Sequence, residues 1–400
     1  GVDFREFHPR VDLIVSNNNT KNGVYIFDSS NVELSNVHTS ENGFDQSDSE
    51  DGAGIFFHDS NTVMSGGKNV SCFVCSSIGD QHGIIIKNSI DLQLKNIIVR
   101  DVVSPISLNI DNSDITYFGN IILDDVIIFS NSSDYALKML EVDAKINDLQ
   151  ISDSNSGIYW SAKGISKSSM SNSVIYGSEN GCLDLIDHIE LLVANTSIHC
   201  FSNNPTSDNS FVNFTHTNLF QNSSMQNSFI LGDNNHIRWI SSLDILTPSS
   251  LYENNIFDMM WSIDVHTINQ HLMNIPYADV NITFDLYEDN LSSTQPYSGN
   301  YLYGPFIGKR WTSQNGWESD NTVNSSCNYD GIQNNTSSFI LDSDKLVICR
   351  LDISNQAPFI IWEIPENDFQ YSSASIVIFD ATESWDLDLD EITFRWSSNL

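Results

Sequence analysis

The chain has 400 residues, 40% of them apolar, and a formal net charge of −35 from 52 acidic and 17 basic side chains, which is enough material for two or three domains with packed cores. So acidic a chain repels polyanions, which excludes nucleic acid as a partner and an anionic membrane as a docking surface. The carboxylates are spread along the sequence rather than gathered in a tail, which excludes a disordered acidic extension.

The sequence opens at Gly1 with no Met, no basic segment and no apolar leader, and no run approaches the ~18 apolar residues of a membrane helix. Its last residues, Ile392 to Leu400, read as a strand. These features predict a portion of a longer chain, with no direct membrane insertion in this portion.

Residues 23–43 set the pattern. Val24-Tyr25-Ile26-Phe27 and Val32-Glu33-Leu34 are short alternating runs, each closed by Ser, Asn or Gly, and the same arrangement returns at 83–101 and 158–181. Units begin near residues 24, 54, 83, 106, 135, 158, 182, 211 and 236, an interval of roughly 22–30 residues that marks a solenoid. A lap of that length cannot bury its own apolar face. Stacked laps satisfy each other's backbone and build a continuous core. Asn36, Asn42, Asn88, Asn96, Asn172, Asn180 and Asn195 are the expected corners, because Asn tolerates the left-handed backbone of a sharp turn. The competing reading is a β-sandwich of hairpins, for which Asn22-Gly23 and Asn42-Gly43 would supply turns. These units resemble the right-handed parallel β-helix repeats of pectate-lyase-like and surface proteins, over residues 10–245. The fold expectation is therefore all-β: a right-handed parallel β-helix solenoid, then a small β-sandwich region, then a truncated immunoglobulin-like domain.

Within the solenoid, Asp80-Gln81-His82-Gly83 faintly resembles the Gly-His-Gly of polygalacturonases, without the companion Asn-x-Asp or Arg-x-Lys. Asp124-Asp125 follows it in the wrong order for that family, and Arg100-Asp101 reads as a surface pair. The acidic loop from Asp45 to Gly52 reads as a solvated insertion. Aromatic rings that could stack on sugar faces are Tyr159, Trp160, Trp239, Trp311, Trp317 and Trp362; Trp160 and Trp239 lie on coil strands, where a core or cap role is favoured.

From about residue 250 the texture changes. Trp261 to Asn269 and Asn274 to Phe284 read strand, turn, Pro, strand. The stretch over 250–352 resembles the small β-sandwich of carboxypeptidase-regulatory type, of whose Asp-x-x-Gly-x-Pro turn only Pro276 is present; a last group of irregular coils is the other reading. Lys309-Arg310 reads as an internal ion-pair partner. His266 and His271 do not form a His-Glu-x-x-His frame, so a metalloprotease is unsupported.

Six cysteines in an Asn- and Ser-rich β protein suit an oxidising, extracellular setting. Cys327 with Cys349 is the best bridge and Cys182 with Cys200 the second. Cys72-Phe73-Val74-Cys75 would make a small local bridge, but residues three apart on a strand point to opposite faces. Free buried thiols are the remaining alternative. Asn-x-Ser/Thr sequons, such as Asn195, Asn213 and Asn281, occur about as often as chance gives them.

After the linker-like Asn355-Gln356-Ala357-Pro358, residues 376–396 resemble half of a polycystic-kidney-disease (PKD) type immunoglobulin-like domain, spanning 355–400. Asp386, Asp388 and Asp390 match the family's acidic turn, while Leu387 and Leu389 replace its usual Pro and Gly. The resemblance implies Ca²⁺ as a possible ligand of these three carboxylates; a solvated acidic turn is the competing reading. Proteins of this build occur in secreted or surface proteins of marine archaea and bacteria. The resemblance thus implies an extracellular or cell-surface adhesion protein, non-catalytic, contacting glycans or matrix through the β-helix face. The alternative is a polysaccharide lyase or glycoside hydrolase working on one flank.

Overall fold

The computed structural model describes residues 1–5, 10–27, 32–43, 53–58, 70–88, 91–100, 106–112, 121–129, 135–152, 157–177, 182–201, 204–221, 228–242, 247–250, 252–287, 291–294, 299–353, 384 and 392–393. Among them every regular element is a strand, and no helix is long and apolar enough to cross a membrane. The chain divides into two compact units, Gly1–Met259 with Arg310–Glu318, and Met260–Lys309 with Ser319–Leu400.

The first unit is a parallel β-solenoid. One wall is an eleven-stranded sheet whose strands run from Val2–Arg5 to Thr247–Ser250. The opposing wall is built from longer strands such as Val32–Ser40, Leu92–Arg100 and Ile121–Phe129, which alternate with the first set along the chain. Neighbours in each wall pair in parallel and in register, one lap apart. Like therefore stacks on like. In the first wall Ile26, Phe57, Ile86, Ile110, Met139, Trp160 and Leu185 form one inward row. In the second wall Leu94, Leu123, Ile146, Met170, Val193, Phe214 and Trp239 form another. All of these side chains are buried, each contributing roughly 1.5–3 kcal/mol of apolar transfer for an aliphatic or Phe side chain.

The long strands bend at one residue per lap. Leu13, Asn36, Asn96, Asp125, Asp148, Asn172, Asn195, His216 and Ser241 hold this place with φ between 45° and 74°. Short polar side chains dominate because they tolerate left-handed backbone best. Asn88 marks another corner at φ 56°. Asn42 does not: it is buried, and its amide donates inward to Asp80. Asn180 lies outside the described residues. The bend also overturns the argument from opposite faces for Cys72 and Cys75. Across it Leu34 and Val37, three apart, both point into the core; the register sets Cys72 beside Leu34 and Cys75 beside Val37. Cys75 is disulfide-bonded.

The laps begin where the sequence places them as far as Leu183. The last two do not. Residues 211 and 236 open second-wall strands, and the first-wall strands of those laps are Thr206–Asp208 and Ser228–Leu231. Thr206-Ser207-Asp208 carries no apolar alternation to announce it; besides its backbone pairing, Thr206 donates to Asp184 at 2.6 Å and Ser207 to Asn235 at 2.8 Å.

One inward row changes character. Ser16, Thr39 and Ser77 are succeeded by Val99, Ile128, Ile151, Ile175, Ile198 and Leu219. The three hydroxyls belong to a buried network centred on Asp80. One Asp80 oxygen accepts from Thr39 and Ser77 (2.8 and 2.6 Å) and the other from the backbone and side-chain N–H of Asn42 (2.8 and 2.7 Å). Gly54 is packed over this carboxylate so closely that a Cβ would lie 2.2 Å from it.

Cys182 and Cys200 are bridged, Cα to Cα 5.2 Å. The first precedes a first-wall strand and the second ends a second-wall strand, so the bridge closes a single lap.

The second unit carries a five-stranded antiparallel sheet in which Thr322–Tyr329 pairs with Asp279–Phe284 and with Ile332–Asn335. Ile263, Val280, Ile282, Tyr301, Val323 and Leu351 lie in its core. Cys327 and Cys349 are bridged within it, and Lys309 pairs with Asp320 at 2.8 Å.

Candidate ligand-binding groove

The solenoid carries an open groove of about 720 Å³ along one corner, where the chain leaves the first wall. Glu141, Asp187, Asn209 and Asn234 stand at that corner, with φ of 52°, 60°, 46° and 51°. Asp187, Asn209 and Asn234 follow one another lap by lap at roughly 4.8 Å spacing, while Glu141 stands two laps before Asp187.

The lap between Glu141 and Asp187 is different. Ser161 ends one strand and Ser168 begins the next, so residues 162–167 form a longer connection than the corners on either side. That loop is tied down from the lap before. The Asp143 carboxylate accepts four consecutive backbone N–H groups, from Lys163, Gly164, Ile165 and Ser166, at 2.9 to 3.2 Å. Gly164 supplies the positive φ, 70°, that lets the amides converge. The loop presents Ile165, 44% exposed, and the next lap presents Ile189, 48% exposed. Both line the groove, as does Phe211.

His188 lines the groove from beneath, almost entirely buried. Its ring meets Trp160 edge-on at 4.9 Å, and Nε2 lies 3.2 Å from the Trp160 carbonyl. Burial lowers its pKa to about 4, so at neutral pH the ring is uncharged. Nε2 then carries the proton and Nδ1 the lone pair. Among the described residues Nδ1 has no hydrogen-bond partner.

At the far end, His236 stands 5.1 Å from the Phe211 ring, which also carries the Arg238 guanidinium at 4.9 Å. His236 Nε2 contacts a fully buried carboxylate, Asp258, at 2.8 Å. Arg310 grips the same carboxylate with Nε and Nη2 at 2.6 and 2.9 Å. Burial pushes Asp258 up, but the hydrogen bonds from His236 and Arg310 and the Arg310 charge outweigh it, leaving its pKa below the ordinary 3.8.

The sequence-selected residues fall as follows. Tyr159 is half-buried on the outward side of its strand, two residues before the groove-lining Ser161, with its ring 5.3 Å from Tyr135. Trp160 is a core residue and presents no face to a ligand: it is fully buried and its Nε1 donates to the Val142 carbonyl at 2.6 Å. Trp239 is likewise core. Trp311 and Trp317 face each other across a small antiparallel pairing, half-buried, with Trp317 edge-on to Phe257. Asp386, Asp388, Asp390 and Trp362 lie outside the described residues, as does the loop from Asp45 to Gly52. Both Asp80 oxygens are engaged within the core. Asp124 is held below its ordinary pKa by Asn147 first and by Lys95 second, at 3.0 Å each. His266 contacts Asp264 at 3.0 Å, and among the described residues no group of three or more His, Cys, Asp or Glu is placed to hold a metal ion.

Sequence reading missed the groove itself. Its only local signal is apolar residues set where corners are otherwise polar, in Gly164-Ile165 and His188-Ile189.

The chain matches no protein-family model, no curated protein and no solved structure.

Proposed function

We propose that this chain is an extracellular or cell-surface binding protein, non-catalytic, that contacts glycan or matrix through a right-handed β-helix face. The observation that carries this reading is the groove crossing successive laps between Glu141 and His236, which mixes exposed apolar side chains with a row of carboxylates and amides. Sugars present the matching pattern of C–H faces and hydroxyls. The Cys182–Cys200 and Cys327–Cys349 bridges, with the disulfide-bonded Cys75, favour an oxidising compartment. The PKD-like resemblance of residues 355–400, and Ca²⁺ at Asp386, Asp388 and Asp390, belong to this proposal on sequence grounds.

The second reading, a polysaccharide lyase or hydrolase acting on the β-helix flank, draws on one observation: His236 lines the groove and is oriented by a buried carboxylate, as acid–base histidines are. Incubation with a glycan panel, with and without Ca²⁺, separates the two. Binding without change in chain length supports the first. Shortened or unsaturated products, lost in His236→Ala, support the second. No binding and no products would end both.

A further inference from the structure

Resting on the glycan-contact reading, we infer that the groove takes a glycan carrying one acidic group, a carboxylate or a sulfate, which pairs with Arg238 at the groove rim while neutral sugar units run back towards Asp187.

Arg238 itself is the first reason. It faces outward on the strand His236–Ile240, two residues beyond the groove-lining His236 and so roughly 6.6 Å further along. The Phe211 ring, which also lines the groove, joins the two: His236 stands 5.1 Å from it and the Arg238 guanidinium 4.9 Å. Arg5, Arg10 and Arg310 are each held by a carboxylate, from Asp3, Glu33 and Asp258. Among the described residues none holds Arg238. Its Nε is buried, while its two Nη nitrogens reach solvent. A guanidinium stacked on a ring is held in orientation, and its planar fork fits a carboxylate or a sulfate.

The surroundings of Arg238 are the second reason. The strands Leu191–Ala194, Phe211–Thr215 and His236–Ile240 pair in register and carry no carboxylate. Carboxylates bordering them are committed, Glu190 to Lys167 at 2.5 Å and Asp258 to Arg310 and His236. The net charge of −35 is screened beyond about 8 Å at physiological ionic strength. An anion at the rim is therefore governed by the cation beside it.

The polarity of the groove is the third reason, and it limits the ligand to one acidic group. At the other end stand Glu141, with Lys163 at 3.4 Å, and exposed Asp187, which accepts from the Asn209 amide at 2.8 Å. A second anionic group there would face carboxylates, whereas sugar hydroxyls donate to them. Ile189 and Phe211 in the groove, and Leu192 beside it at 42% exposed, offer C–H packing to the sugar rings.

The test is calorimetric titration of the whole chain with oligosaccharide twins that differ by one acidic group: xylan pieces with and without a glucuronate, and galactan pieces with and without a sulfate. Fully charged oligogalacturonate is the third ligand. The variants are Arg238→Gln, Arg238→Lys, Ile189→Ala and, as a control for charge alone, Lys145→Gln, an exposed cation in the same outward row four laps earlier. Circular dichroism and the thermal midpoint verify folding. We expect wild type to bind an acidic twin at least about tenfold more tightly than its neutral partner, equivalent to about 1.4 kcal/mol. Arg238→Gln should erase that difference, Arg238→Lys keep part of it, Lys145→Gln leave it unchanged, and Ile189→Ala weaken both twins. The pair that shows the difference tells carboxylate from sulfate. Twins bound alike by wild type would overturn the inference, a result that needs no variant to fold. So would a difference that survives Arg238→Gln or that Lys145→Gln removes equally, and so would oligogalacturonate bound more tightly than any singly charged ligand. Each of these leaves glycan contact standing where Ile189→Ala still weakens binding. The absence of binding to every saccharide would overturn the inference and the glycan reading together.

Discussion

Arg310 holds both oxygens of Asp258 from 52 positions further along the chain. Asp258 has no exposed side-chain surface, while Arg310 is about a quarter exposed. Removing one partner of a buried pair strands the other charge at low dielectric. Arg310→Met is therefore expected to cost about 3–5 kcal/mol in chemical denaturation, and Arg310→Lys less, since the charge stays but the two-pronged grip is lost. A loss under 1 kcal/mol in Arg310→Met would show that solvent reaches Asp258.

The same pair sets an acid limit. The folded pKa of Asp258 lies below 3.8, so its contribution is complete above the unfolded value and is lost as pH falls through the folded one. Stability should drop below about pH 4, and Asp258→Asn should flatten that limb of a plot of denaturation midpoint against pH.

Asp80 acts with the opposite sign. Burial raises its pKa, against hydrogen bonds from Ser77, Asn42 and Thr39. The protonated form is thus favoured by folding, and stability is lost as pH rises from 3.8 through the raised value. Asp80→Asn removes that penalty and leaves the hydroxyls room to reorient. It should equal or exceed wild type in thermal midpoint at pH 7, whereas Asp80→Ala, which orphans several buried donors, should cost about 2–3 kcal/mol. An Asn variant as damaged as the Ala variant would show that the charge itself is needed.

Asp143 is expected to govern order in the groove wall more than global stability. Asp143→Ala frees the amides of residues 163–166, which water can partly satisfy, so unfolding should change by only about 1 kcal/mol. Hydrogen exchange at those amides should accelerate at least about tenfold, a local effect. Exchange rates unchanged in the variant would mean that packing, not the carboxylate, fixes the loop.

The Cys182–Cys200 bridge spans 18 residues. Replacing both cysteines with Ser should lower stability by about 3 kcal/mol, the closure entropy of such a loop, with the loss confined to the solenoid transition if the two units melt separately. No change in that transition would indicate that lap stacking alone holds the segment.

Much of the solenoid could be read from the sequence because its determinants are local. Inward residues such as Leu92 and Leu94 alternate with outward ones such as Gln93 within a strand, and Asn36, Asn96, Asn172 and Asn195 mark bends that a few side chains tolerate at low cost. The lap starts at 206 and 228 were missed because Thr206-Ser207-Asp208 is held by backbone pairing and by side-chain hydrogen bonds to Asp184 and Asn235, more than twenty residues away, and local pattern does not record that. Asn42 was misplaced for a related reason: its amide serves a carboxylate 38 residues away.

By itself, then, the sequence determined the parallel laps, their bends and the excess of negative charge, all properties of short segments or simple sums. Tertiary structure alone decided which polar groups meet. Asp143 reaches a loop one lap later, Asp258 reaches His236 and Arg310, and Glu141, His188 and Phe211 come to share one groove. Each of these depends on how laps align along the axis, a sum of many weak packing energies that no single stretch of residues encodes.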